Sequence, residues 1–325
     1  MGAEEKKEIL LTVENLNKNF GRKNILNSLN FEVNKGEIFG IVGTSGSGKT
    51  ILLKTLINFY NPSAGKITFR DINQRKTEFR KFFGFSTQES CFYPELTTLE
   101  NLHHFGKLYG IKGKLRKERI KELLNLLELE ECMNMPASQL SGGMQKRLDI
   151  ACSMIHSPKL LLLDEPTLEL DPILRHSVMR LIEDINKKEG ITIIIASHLL
   201  GGIETLCNNI VILHNGEILE SGPLNKLREA YSGDEEVLLR TDGDQKKVLQ
   251  FLGKRKKMLE IARIVEHGNK CITIYTKDAE RVAHYLLPVL KHLKEKIIEM
   301  KLSKPSLTEI FTSVVNQKKK SVKKS

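Results

Sequence analysis

The chain has 325 residues, 40% hydrophobic and 28% charged, which allows one large folded domain plus a smaller one and excludes a disordered chain. No apolar run approaches the roughly 18 residues a membrane span needs, and the N-terminus lacks the apolar core of a cleavable signal, so a cytoplasmic chain is expected. The formal charge of +11 comes largely from Lys254-Arg255-Lys256-Lys257 and the lysines between Lys318 and Lys324; such charge suits nucleic acid or an anionic membrane face, but a lysine-rich terminus reads first as a solvated tail.

Met1 to Glu8 reads as a polar leader. Ile9 to Glu14 and Asn30 to Val33 read as strands, with a turn at Gly21-Arg22-Lys23-Asn24. Phe20, just before that turn, can stack on adenine, a contact worth roughly 1 to 3 kcal/mol in base-binding sites, or can be a core phenylalanine. Glu37 to Val42 reads as a buried strand. It runs into Gly43-Thr44-Ser45-Gly46-Ser47-Gly48-Lys49-Thr50, which fits the phosphate-loop pattern at every fixed position, and Ile51-Leu52-Leu53 opens a helix. Glycines let backbone N–H groups wrap a polyphosphate, Lys49 reaches the β- and γ-phosphates, and Thr50 presents a hydroxyl to Mg2+.

Lys66 to Phe69 and Phe83 to Thr87 read as strands, the latter followed by Gln88. From Leu99 to about Cys152 the pattern is helical, with Leu123, Leu124, Leu126 and Leu127 on one face, as in a helical insert within an α/β sheet. Inside it, Leu140-Ser141-Gly142-Gly143-Met144-Gln145 opens a helix with glycines and a serine, either an ordinary cap or a second phosphate-binding device. Leu160 to Leu163 is a strand buried on both faces, ending in Asp164 and Glu165. Asp164 can hold Mg2+ through water, and Glu165 can polarise an attacking water. Ile191 to Ser197 is a third such strand, and His198 at its end can sense the γ-phosphate. Three strands that end at Gly43, Asp164 and His198 would bring these groups to one sheet edge.

Beyond Gly222-Pro223, strands at 237–240, 261–265, 271–276 and 297–302 and helices at 245–252 and 279–292 follow the order βαββαβ, with a turn at Gly268-Asn269. That order predicts a small ferredoxin-like α+β domain. Ser303 to Val315 reads as a final helix, and 316–325 as a basic tail. The five cysteines, at 91, 132, 152, 207 and 271, have no metal or disulfide spacing and read as packing residues.

Over about residues 9–225 these motifs resemble the ATP-binding cassette family. Gly43 to Thr50 is similar to Walker A, Gln88 to the Q-loop, Leu140 to Gln145 to the signature, Leu160 to Asp164 to Walker B with Glu165 as the catalytic carboxylate, and His198 to the switch histidine. The resemblance implies an α/β P-loop NTPase cassette with a mixed sheet and a helical subdomain at about 90–155, followed by the accessory domain at 234–315. It implies ATP and Mg2+ as cofactors, with Thr50, Gln88 and Asp164 on the metal side and Phe20, Gly43, Thr44, Ser45, Gly46, Ser47, Gly48, Lys49, Thr50, Ser141, Gly142, Gly143 and Asp171 around the nucleotide. Glu165, His198 and Gln88 would serve catalysis.

It also implies a head-to-tail dimer, a homodimer by preference, in which Ser141 and Gly143 of one chain close on ATP held by Lys49 of the other. Gln88 and Phe92-Tyr93-Pro94-Glu95-Leu96 would face a separate polytopic permease at the inner face of the cell membrane. Tyr93 to Thr97, Glu100 to Leu102 and Pro305 to Phe311 resemble drug-resistance-type exporter subunits. The expected function is therefore ATP hydrolysis that energises export; the alternative is a soluble cassette acting on ribosomes or DNA, which one Walker A and no sustained heptads disfavour. One departure is Leu168-Glu169-Leu170-Asp171, where the family carries small residues before Leu-Asp.

Overall fold

The computed structural model describes residues 8–70, 72, 76–231, 235–243, 245–267, 270–303 and 306–322. The chain separates into two units, with the boundary between Leu224 and Asn225. In the first, β1 (Ile9–Phe20) and β2 (Lys23–Asn34) form an antiparallel hairpin in which Phe20 faces Lys23. Both strands are longer than their apolar patterns predict. The extra length is polar and held by side chains: Asn15 N donates to Asn30 Oδ1 at 2.8 Å, and Ser28 N to Asn17 Oδ1 at 3.0 Å. Register shifts there break the alternation on which a pattern reading depends.

The strand β3 (Ile38–Val42) leads through the phosphate-loop sequence into α1 (Lys49–Leu56), and β4 (Ala64–Phe69) then pairs with β1. α2 (Lys76–Phe82) runs directly into β5 (Phe83–Ser86). The following helical stretch comprises α3 (Thr98–Leu108), α4 (Gly113–Leu126), a 3-10 turn at Ala137–Gln139 and α5 (Gly142–Met154). Thr97 and Glu100 form a reciprocal capping box at the start of α3, which fixes where that helix begins.

β6 (Leu160–Asp164), α6 (Pro172–Glu189), β7 (Thr192–Ser197), α7 (Leu200–Leu206), β8 (Asn209–His214) and β9 (Glu217–Pro223) complete the sheet, whose order is β5-β6-β7-β3-β8-β9. Its pairs are parallel except β8 with β9. Every residue of β3, β6 and β7 is buried, which is why these strands are continuous apolar runs. They lie side by side, so their C-terminal ends share one edge. α8 (Leu224–Tyr231) follows.

In the second unit β10 (Glu235–Thr241), α9 (Gln245–Arg255), β11 (Ile261–His267), β12 (Cys271–Thr276), α10 (Ala279–His292) and β13 (Ile297–Ser303) give an antiparallel sheet of order β11-β12-β10-β13. That is the ferredoxin-like order. Val237, Leu239, Ile272 and Ile274 from the sheet pack with Val248, Leu252, Val282 and Leu286 from the two helices. The turn expected at Gly268-Asn269 lies outside the described residues, as does the leader from Met1 to Lys7.

The final helix, α11 (Leu307–Val322), begins later and ends later than expected, so most of the stretch read as a basic tail is helical. Lysine is a good helix former, and positive charge near a helix C-terminus is favoured by the backbone dipole. Among the described residues no helix is long and apolar enough to cross a membrane.

Candidate functional site

The phosphate-loop sequence folds as a tight turn because two of its glycines do what no other residue can. A Cβ on Gly43 would lie 2.2 Å from Leu213 O and 2.6 Å from Ser47 Oγ, while Gly48 sits at φ 107°, in the left-handed region. Gly48 is also the N-cap of α1 and has no side chain to cap it, so the first N–H groups of the helix stay unclaimed by any cap. Thr44, Ser45 and Gly46 are exposed at the tip, while Ser47 is buried and its hydroxyl has no partner among the described residues.

Lys49 is turned inward, 6% exposed. Its Nζ donates to Gly43 O at 3.0 Å and Thr44 O at 3.2 Å, and lies 3.2 Å from Glu165 Oε1. Glu165, 8% exposed, also accepts from Ser197 Oγ at 3.1 Å and from His198 N at 3.1 and 3.2 Å, and His198 Nδ1 stands 2.9 Å from Oε1. A buried carboxylate is tolerable only with such partners. Its backbone lies at φ 50°, a strained conformation for a residue with a side chain, at the exit of β6. Three strand ends, 43, 165 and 198, thus converge on one buried ion pair.

Asp164 is buried beside it. Burial holds this carboxyl above the usual carboxylate range; the nearby Thr50 hydroxyl works against that, and neighbouring Glu165 adds to it. Asp164 Oδ1 has no partner among the described residues. An unpartnered buried carboxylate oxygen next to a hydroxyl is the donor set that a hard divalent cation takes up.

The remaining expected residues lie apart from this cluster. Phe20 is 42% exposed at the hairpin tip, edge-on to Tyr60 at 5.1 Å, so it is no core residue. Gln88 is exposed just after β5. Ser141 caps α5, its Oγ accepting from Met144 N at 3.4 Å; Gly142 is exposed and Gly143 is buried against Leu174. Asp171 caps α6, accepting from Ile173 N at 2.9 Å and Leu174 N at 3.0 Å. Among the described residues no hydrogen bond joins Gln88, Ser141 or Asp171 to Lys49, Asp164 or Glu165. One contributor escaped the sequence reading: Ser197 ends the run of β7 as a strand residue and gives no separate signal, yet its hydroxyl bonds Glu165.

Residues 26–168 match the ABC transporter family. Nod factor export ATP-binding protein I of Rhizobium sp. (strain N33) is 32% identical over 281 residues, 85% of this chain and 88% of that protein. The chain belongs to the ABC transporter family. Linearmycin resistance ATP-binding protein LnrL of Bacillus subtilis (strain 168) is 29% identical over 311 residues, 95% of this chain and 99% of the relative, so the similarity extends through the second unit. Among solved structures, cbiO1 from Clostridium perfringens, part of the ABC transporter complex cbiONQ, matches with a TM-score of 0.64 at 26% identity, covering 78% of this chain and 97% of that one. The protein is an ABC ATPase, an ATP-binding subunit that energises transport.

Proposed function

We propose that this ABC subunit drives export through a separate polytopic permease, working as a homodimer held at the inner face of the cell membrane by that permease. The observation that carries the chemistry is the Lys49–Glu165–His198 cluster at the shared edge of β3, β6 and β7. The export direction is supported by the names of two relatives, one a resistance protein and one an export protein.

The loop backbone and the open N-terminus of α1 bind the phosphates. Lys49 now spends its charge on Glu165, so a phosphate that takes up the ammonium also frees the carboxylate. Glu165 then accepts a proton from the attacking water, and His198, already against it, orients the pair. Mg2+ fits the unpartnered Asp164 oxygen and the Thr50 hydroxyl, with Gln88 as the third group assigned to it; bound there it would neutralise phosphate charge. Phe20, exposed at the hairpin tip beside Tyr60 and Lys18, is the ring assigned to stack on adenine. Among the described residues no bond joins Ser141 or Gly143 to Lys49, which supports completion of each site by a second copy, with Asp171 close to that junction.

Purification of Glu165→Gln protein with ATP from its own cells in mild detergent tests this reading. A multi-spanning membrane protein recovered in near-stoichiometric amount supports it, and ribosomes or DNA in its place overturn the transporter assignment. Substrate accumulation by inside-out vesicles carrying the recovered pair supports export, and accumulation by right-side-out vesicles makes the subunit an importer.

A further inference from the structure

The carboxylate of Asp149 is fully buried and has no part in the phosphate cluster. It lies on the face of α5 turned toward β5. Gly84 and Ser86, two apart on the strand, meet Ser153 and Asp149, four apart on the helix, as one strand face against one helix face requires. At Gly84 the backbones come so close that a Cβ would lie 2.3 Å from Ser153 O. At Ser86 the hydroxyl donates to Asp149 Oδ2 at 2.5 Å.

The other oxygen, Oδ1, accepts from Cys91 N at 2.9 Å and from the Cys91 thiol at 3.0 Å. Lys146, one turn earlier, stands 3.5 Å from Oδ2 and donates to Thr87 O at 3.1 Å. One carboxylate therefore grips both ends of the segment 86–91, and Gln88 is exposed between them. The same helix begins at Gly142, with Ser141 as its cap, about 12 Å along the axis from Asp149 at 1.5 Å per residue. A helix of this length moves as a rod, so a grip at its middle is felt at its first turn.

We propose that Asp149 is a positioning residue for ATP hydrolysis, which locks the Gln88 segment to α5 so that Gln88 and Ser141 are placed together. This rests on the reading of Gln88 and Ser141 as site residues. Without the lock, the stretch after Ser86, exposed from Gln88 to Cys91, has few bonds of its own and samples other conformations. Asp149 never touches substrate; its whole effect passes through Gln88.

A double-mutant cycle on the full chain with its permease tests this, reading kcat and KM for ATP. Asp149→Asn keeps the volume but sets an amide among donors; it is expected to lower kcat about tenfold while KM changes less than about twofold, since Lys49 and its loop are untouched. Combined with Gln88→Ala, it should be no slower than Gln88→Ala alone. Effects that multiply overturn the inference and show a general packing role. If Asp149→Asn does not fold, Ser86→Ala removes one donor at little change in volume and enters the same cycle with the same two outcomes. Should Gln88→Ala leave kcat unchanged while Asp149→Asn lowers it, the inference falls because the reading of Gln88 has fallen, a result distinct from multiplying effects.

Discussion

The two loop-to-helix junctions of this chain, Gly43–Lys49 and Leu140–Gly143, share a composition of glycine and serine and sit in opposite surroundings. At the first, Gly48 leaves the helix uncapped and the ends of β6 and β7 close around Lys49. At the second, Ser141 caps its own helix over a long 3.4 Å bond and stays exposed. The first is a cradle that the chain assembles from its own residues. The second is an outward-facing helix cap, and under the proposed function it would meet a phosphate only when a second copy brings one to it.

The largest effect is expected inside the cradle. Glu165→Gln removes the proton acceptor and weakens the pairing with Lys49, so turnover should fall about 10³-fold while ATP binding persists, read by steady-state hydrolysis beside nucleotide affinity. Next comes a test of the division between junctions. Lys49→Ala destroys the cradle and Ser141→Arg the outward surface, and each alone should cost about 10²-fold in turnover. Mixed in equal amounts, they should recover up to about a quarter of normal activity, because half of the dimers are mixed and each of those has one intact site of two. No recovery on mixing would mean that both junctions serve the same chain.

A smaller effect concerns His156, just past the C-terminal end of α5. His156 stacks on Tyr109 at 3.7 Å, and its Nε2 lies 2.8 Å from Phe83 O, which can only accept, so Nε2 carries the proton. Burial pushes the ring down to about 4 from an ordinary 6.5. The unfolded chain therefore binds the proton more tightly than the folded one. The contribution is present above about pH 6.5 and is lost as pH falls toward 4, up to about 3 kcal/mol in all. Urea unfolding at pH 7 and pH 4.5 reads it, and His156→Gln should flatten the difference.

The cradle was legible in the sequence, and the outward junction only partly. Gly43 to Thr50, Asp164, Glu165 and His198 each sit at the end of a continuous apolar run, so pattern alone places them on one sheet edge. Their convergence on a single ion pair was not readable, since it depends on which strands are neighbours. Asp149 and the 86–91 turn depend on helix-to-strand packing across a long stretch of intervening chain, and no local pattern encodes that. The polar halves of β1 and β2 were missed because asparagine and serine side chains, not alternation, hold them. Asp171 illustrates a residue with two readings, since its position near the nucleotide was expected and its visible work is to cap α6.

The smallest effect lies in the turn between β6 and α6, beyond both junctions in the chain. Leu170 packs beside Gly142, and Glu169 before it is exposed at φ 62°. A side chain in that conformation costs about 1 kcal/mol, which glycine avoids, although glycine also gives the unfolded chain more freedom. Glu169→Gly should therefore stabilise the chain by no more than about 0.5 kcal/mol, seen as a slight rise in melting temperature. The same substitution removes a negative charge from a turn that sits beside the exposed signature. If that charge limits approach of the second copy, turnover should rise at low salt and match the parent at high salt, where exposed charges are screened. A rate increase independent of salt would instead assign the effect to the backbone.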